Sequence, residues 1–166
     1  MKVKVLILGS RGLIGHQVYD YLKYNSNFEL HNISSRTKLQ EDTILVDARN
    51  EKEFIEKIIS IRPQYIVNCI GLLISKASKN LEDAIFINSY IPHKLTKVAD
   101  KINAKLIHLS TDCVFSGDKK TPYIESDDKD GIDNYAKTKG LGEVEIDGHL
   151  TIRTSVIGPE LKESDS

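Results

Sequence analysis

The stretch VKVLILGSRGLIGHQVYDYL, Val3 to Leu22, joins a short apolar run to a helical pattern through three glycines, Gly9, Gly12 and Gly15. The run is rich in β-branched residues and stops at glycine, as a buried strand does. After it, GLIGHQVYDYLKYN (12–25) spaces Leu13, Ile14, Val18, Tyr21 and Leu22 along one helical face. Glycines at a strand-to-helix junction allow a tight turn, let the backbone approach a pyrophosphate and let the helix pack close. The helix N-terminus then offers unpaired N–H groups to the anion. The loop therefore points to a bound dinucleotide, held by Gly9, Ser10, Arg11, Gly12, Leu13, Ile14 and Gly15.

Outward from that junction the same rhythm repeats. FELHNIS (28–34) and TILVD (43–47) read as the second and third strands, EKEFIEKIISIRP (51–63) as a helix closed at Pro63, and QYIVNCIG (64–71) as a buried strand. LEDAIFINSYIPHKLTKVADKIN (81–103) reads as a long helix disturbed at Pro92. AKLIHLS (104–110) is a fifth strand, NYAKTKGLGEVEI (134–146) supplies a helix after a polar loop, and HLTIRTSVIG (149–158) is a sixth strand. Strands alternating with helices predict an α/β domain, a Rossmann-type doubly wound parallel sheet of about six strands. The expected domain covers residues 1–158, and PELKESDS (159–166) is a polar tail.

With 166 residues at 40% hydrophobic, the chain can bury one core. Lys and Arg number 23 against 24 Asp and Glu, a net charge of -1, which gives no long-range field for nucleic acid or an anionic membrane. No apolar run reaches bilayer-spanning length, and the N-terminus lacks a signal-peptide pattern, so a cytoplasmic protein is expected. Cys69 and Cys113 fall in strand-like segments without CxxC spacing, which predicts two buried, reduced thiols and no metal.

Which dinucleotide is bound depends on the end of the second strand, where an acidic residue would accept the ribose hydroxyls of NAD. Ser34, Ser35 and Arg36 stand there instead, a set suited to a 2′-phosphate, and Arg11 could reach the same group or remain solvated. NADPH is the expected cofactor, with NADH the other candidate. Asp47 closes the third strand, placed either to bond adenine or to cap the following helix.

The chemistry itself is written in LSTDCVFSGDKKTPYIESDDKDGIDNYAKTKGLGE (109–143). Tyr135 and Lys139 are four apart and so share a helical face. Thr111 falls at the C-terminal edge of the fifth strand, where ligands of such sheets bind. Thr111 can bond a substrate carbonyl and Tyr135 can protonate it. Lys139 is expected to lower the tyrosine pKa and to hold the nicotinamide ribose.

Taken together, GSRGLIG (9–15), NCIG (68–71), LSTDCVFSG (109–117), PYIESD (122–127) and YAKTKGLGE (135–143) resemble an extended short-chain dehydrogenase/reductase, and more narrowly its dTDP-4-dehydrorhamnose reductase branch. The GxxGxxG spacing is the form typical of the wider family. The resemblance implies an NADPH-dependent reductase of a 4-keto-6-deoxy sugar nucleotide, serving cell-surface polysaccharide precursors. A non-catalytic NADP(H)-binding regulatory subunit and a related epimerase or dehydratase are the alternatives. It also implies cofactor contacts from Asp47, Ala48, Asn68, Cys69, Ile70 and Gly71, and a substrate border at Val114, Phe115 and Glu125. Arg153 matches a family position as well, and Asn88 is either a family asparagine or a structural one. The branch carries a proline-bearing segment before the tyrosine that DDKDGIDNY (127–135) lacks, which points toward a different hexose. Members continue beyond the sixth strand, so a further segment completing the sugar pocket is expected, with a second copy of the chain as a candidate partner.

Overall fold

The computed structural model describes residues 2–156 and Leu161. Six strands form one sheet in the order β3-β2-β1-β4-β5-β6, and every pairing is parallel. The strands are β1 (Val3–Leu8), β2 (Phe28–Ser34), β3 (Ile44–Leu45), β4 (Tyr65–Asn68), β5 (Lys105–Thr111) and β6 (Leu150–Thr154). β1 pairs on both sides, with β2 and β4, so neither of its edges is free. Leu6 and Leu8 enter one core with Phe54, Ile58, Ile91 and Leu95, while Val5 and Ile7 enter the other with Tyr19 and Val67. This two-sided burial is why the strand reads as an apolar run rather than an alternating one.

The helices are α1 (Leu13–Lys23), α2 (Glu51–Ile61), α3 (Ile74–Lys79), α4 (Leu81–Ala84), α5 (Ile91–Lys101) and α6 (Asn134–Leu141). α1 buries Gly15, His16 and Tyr19, whereas Tyr21 is 83% exposed. Of the expected stripe, Leu13, Ile14, Val18 and Leu22 are partly buried, Val18 and Leu22 against the core, and Tyr21 alone faces outward. β3 has two residues where five were expected, and α3 lies in a segment that gave no helical pattern. The proposed boundary at 158 and the polar tail at 159–166 lie outside the described residues, Leu161 excepted.

Pro92 does disturb the long helix, as expected, but without breaking it. A π-helical turn, Ile85–Tyr90, stands between α4 and α5, and the Ile91 N–H donates to the Phe86 carbonyl five residues back. Widening the helix here accommodates a residue that has no N–H to give. It also directs Asn88 and Ser89 inward, both buried, toward α6.

α6 meets the π turn backbone to backbone. A Cβ on Gly142, the C-cap of α6, would overlap the Asn88 carbonyl oxygen. Gly142→Ala should accordingly cost about 2–3 kcal/mol by forcing the two helices apart. Gly117→Ala, where φ is +88° but no atom lies nearby, should cost only about 1 kcal/mol of backbone strain. Urea unfolding of both variants checks the ranking, and equal losses would contradict it.

Candidate active site

The glycine loop leaves β1 as a turn hung from β2: the Gly9 and Ser10 N–H groups both donate to the Ile33 carbonyl, at 2.9 and 3.1 Å. Gly9 adopts φ +76° with the Cys69 backbone 3.1 Å from where a Cβ would stand, so only glycine fits. A Cβ on Gly15 would overlap the Gly9 carbonyl oxygen, and that contact draws α1 close to the strand end. The N-cap, Gly12, supplies no side-chain bond to the first turn. The first N–H groups of α1, at Leu13 and Ile14, thus remain available to an anion. Below the loop, Ser10 Oγ donates to Asn32 Oδ1 at 2.9 Å.

Beside the loop, Ser35 and Arg36 are exposed, and Arg11 Nε donates to Thr37 Oγ1 at 3.2 Å. Ser34 is buried and its hydroxyl donates to the Thr37 carbonyl, so it shapes the turn rather than facing outward. Thr37 thus joins Arg11 and Arg36 at the β2 end, although nothing in its type announces it. Asp47 accepts from the Arg49 N–H at 2.9 Å and pairs with its guanidinium. It does not cap α2, whose N-cap is Asn50. Ala48 is buried, Cys69 and Ile70 are half-buried, and Gly71 is exposed at the β4 end. Asn68 turns inward, where its amide donates to His108 Nδ1 at 3.0 Å and its oxygen accepts from the Ile70 N–H at 3.1 Å.

Thr111, Tyr135 and Lys139 converge at the C-terminal edge of β5. α6 is started there by Asp133, whose side chain accepts from the Ala136 N–H at 2.7 Å. Tyr135 is partly buried, and burial pushes its phenol pKa up while the neighbouring Thr111 hydroxyl pulls it down; the net shift is upward. That reverses the expected lowering by Lys139. The ammonium of Lys139 donates instead to the Leu109 carbonyl at 2.6 Å and stands near Gly71. Lys139 is 4% exposed, and burial lowers its pKa to about 8 against the partial opposition of Glu143 and Cys69. The phenol therefore keeps its proton at neutral pH, the form a proton donor needs.

The substrate-side residues divide. Phe115 is half-buried, stacked on Tyr123 at 4.3 Å, and Glu125 is exposed with its carbonyl accepting from Arg153 at 3.1 Å. Val114 is 1% exposed and packs under Gly140 of α6. Cys113 follows Thr111 in a 3₁₀ turn, Asp112–Val114, and is exposed, which corrects its expected burial in a strand. Cys69 is only partly exposed, and burial pushes its thiol up to about 12.

Beneath α6 lies a layer of polar groups that the sequence gave little sign of. Asn88 accepts from the Leu72 N–H at 2.8 Å and donates to the Leu72 carbonyl and to Thr138, both at 3.1 Å. It is the structural alternative of the two readings, pinning the Gly71 loop to α6. Glu143 accepts from Ser110 at 2.7 Å and takes Arg153 in a two-pronged pair at 2.8 and 2.7 Å. His108 is fully buried and neutral; burial above all, then the Lys139 charge, lowers its pKa to about 2. Among the described residues no cluster of three or more metal-ligating side chains occurs.

The buried lysine gives stability a pH dependence. Between its folded pKa of about 8 and the ordinary 10.5, the unfolded chain binds more protons than the folded one, so stability rises with pH. Relative to Lys139→Met, the parent should gain roughly 3 kcal/mol across that window. Denaturant titrations of both proteins at pH 7 to 10.5 measure the difference, and parallel curves would contradict the burial of a charged lysine.

Comparison with known proteins agrees with this geometry. The family model described as the RmlD substrate binding domain matches residues 3–163. The chain is 30% identical over 158 residues to dTDP-4-dehydrorhamnose reductase of Escherichia coli (strain K12), covering 92% of this chain and 51% of that protein. It is also 30% identical over 160 residues to methionine adenosyltransferase 2 subunit beta of Xenopus tropicalis, covering 93% and 47%. A crystal structure of dTDP-4-dehydrorhamnose reductase from Bacillus anthracis str. Ames in complex with NADP superposes with a TM-score of 0.81 at 26% identity, covering 92% of this chain and 53% of that one. The chain spans about half the length of the curated relatives it matches.

Proposed function

The chain belongs to the RmlD substrate binding domain family, and from that premise we propose that it carries the NADPH-binding and catalytic part of a reductase acting on a 4-keto-6-deoxy sugar nucleotide. The single observation behind this reading is the convergence of Thr111, Tyr135 and Lys139 on the strand edge that also bears the glycine loop and Gly71. Relatives named for reduction of dTDP-4-dehydrorhamnose and for spore coat polysaccharide biosynthesis support the substrate class and a role in cell-surface polysaccharide supply. No helix among the described residues is long and apolar enough to cross a membrane, and a cytoplasmic setting fits such a substrate.

The residues fit the cofactor. Gly9, Gly12 and Gly15 leave a backbone cradle that a side chain would fill, and the uncapped start of α1 faces it. Ser35, Arg36 and Arg11, exposed beside the loop, would hold the 2′-phosphate, and Lys139 and Gly71 would hold the nicotinamide end. NADPH held there supplies the hydride. Thr111 orients the ketone by a hydrogen bond to its oxygen. Tyr135, kept protonated by burial, delivers its proton to that oxygen as it becomes an alkoxide, and Lys139, one helical turn on, would hold the nicotinamide ribose. Phe115 and Glu125, on the loop between β5 and α6, border the sugar.

A second reading is favoured by the likeness to methionine adenosyltransferase 2 subunit beta: the chain would bind NADP(H) as a subunit of another enzyme, without turnover. Tyr135→Phe separates the two. In the reductase it should lower NADPH oxidation with dTDP-4-keto-6-deoxy sugars by roughly 10²-fold or more, leaving NADPH affinity nearly unchanged, because the phenol acts in the transition state. Rates within about tenfold of the parent would assign the proton to another group. NADPH binding with no turnover in a full-length protein that carries this chain together with a sugar-pocket segment would favour the subunit reading.

A further inference from the structure

We propose that Glu143 is a positioning residue of this site, a fixed buried carboxylate that serves as the counter-charge of Lys139 one helical turn away and anchors Arg153 beneath the loop between β5 and α6. The inference rests on the reading of Lys139 as part of the reductase site. Glu143 lies one helical turn after Lys139, just past the end of α6, and is 5% exposed. Arg153 holds both carboxylate oxygens, and each oxygen has a second partner from another element. Oε1 accepts from Ser110 Oγ of β5 at 2.7 Å and from Arg153 Nε of β6 at 2.8 Å. Oε2 accepts from Arg153 Nη2 at 2.7 Å and faces the Lys129 ammonium of the β5–α6 loop at 3.4 Å.

Burying such a group is costly, and an apolar set of the same volume commonly serves stability as well or better. A fixed charge here therefore calls for a neighbour that uses it. That neighbour is Lys139, buried with its ammonium against a backbone carbonyl. Three ionisable groups face it: Cys69 after β4, His108 on β5 and Glu143. Cys69 and His108 are both neutral at pH 7, since burial keeps the thiol protonated and His108 takes its Asn68 bond on an unprotonated Nδ1. Glu143 is ionised: burial works to raise its pKa, and the Arg153 and Ser110 bonds outweigh that and leave it lowered. The negative charge sensed by Lys139 among these groups is thus the carboxylate of Glu143.

The same carboxylate sets the loop. Arg153, held by Glu143, donates through Nη1 to the Glu125 carbonyl at 3.1 Å and lies 4.8 Å over the Phe115 ring. Ser110 and Thr111 are neighbours on β5, one bonded to Glu143 and the other beside Tyr135. One strand end thus carries both the hydroxyl that holds the positioning carboxylate and the hydroxyl proposed to face the substrate.

The test is the titration of Lys139 itself, followed by its Cε chemical shift in protein labelled with ¹³C-lysine and assigned by the resonance lost in Lys139→Met. The parent midpoint should lie at about 8. In Glu143→Gln it should fall by about one pH unit or more, as expected for removal of a nearby opposite charge. Ser110→Ala, which removes a bond to Glu143 but no charge, should lower the melting temperature and leave the midpoint in place. A purely structural Glu143 would lower stability in both variants and move the midpoint in neither. If Glu143→Gln does not fold, Glu143→Gln/Arg153→Met, which leaves no unpaired buried guanidinium, should show a smaller fall in the same direction, since Glu143 stands nearer Lys139 in the chain than Arg153. An unmoved midpoint in the folded single or double variant overturns the inference. No substrate enters the measurement, so absence of sugar-nucleotide reduction would count against the reductase reading alone and leave this result standing.

Discussion

The contact of Gly15 with the Gly9 carbonyl is the constraint on which the rest of the molecule depends. A single methyl group at that point would overlap the oxygen, so α1 can lie against the end of β1 only because a glycine is there. The closeness sends the uncapped start of α1 toward the strand edge and gives the crevice its anion-binding character. β1 is meanwhile fixed by pairing on both sides and by burial on both faces. A sheet whose central strand is this strongly determined places every later strand end on the same edge, and the chemistry collects there.

At the other side of the crevice the solution is different. α6 has little apolar stripe of its own and buries Thr138, Lys139 and Gly140 alongside Ala136. It is held mainly by polar contacts: Asn88 and Ser89 from the π turn bond Thr138, Lys139 bonds the β5 backbone, and Glu143 gathers Ser110 and Arg153. Buried polar networks hold a single arrangement when every member is satisfied, and they suit a helix whose tyrosine and lysine must be placed closely. Pro92 contributes indirectly, since the π turn before it is what turns Asn88 and Ser89 toward α6.

Much of this was legible in the sequence, and the part that was not has a physical cause. Parallel strands buried on both faces give apolar runs, and the glycine loop and the Tyr135–Lys139 spacing are local patterns, so the fold and the convergence of Thr111, Tyr135 and Lys139 on one strand edge could be read directly. Tyr21 was misplaced because the inner face of α1 is formed by Gly15, His16 and Tyr19, a stripe that hydrophobic periodicity does not register. Cys113 was assigned to a strand that ends one turn earlier, where Thr111 Oγ1 accepts the Cys113 N–H. Glu143 and Arg153 look like surface charges in a linear sequence, and only their partners on β5 and in the loop show otherwise. The direction of the Tyr135 shift depends on burial, which no spacing of residues reveals.

The central claim is that the edge bearing the glycine loop, Ser35 and Arg36 binds a phosphorylated dinucleotide. Calorimetric titration of the chain with NADPH and with NADH, repeated with Arg36→Ala, tests it most directly. The account predicts that NADPH binds at least roughly tenfold more tightly and that Arg36→Ala removes most of that preference through loss of a charge-assisted bond to the 2′-phosphate. Equal affinities for the two cofactors in the parent, or no binding of either, would contradict it.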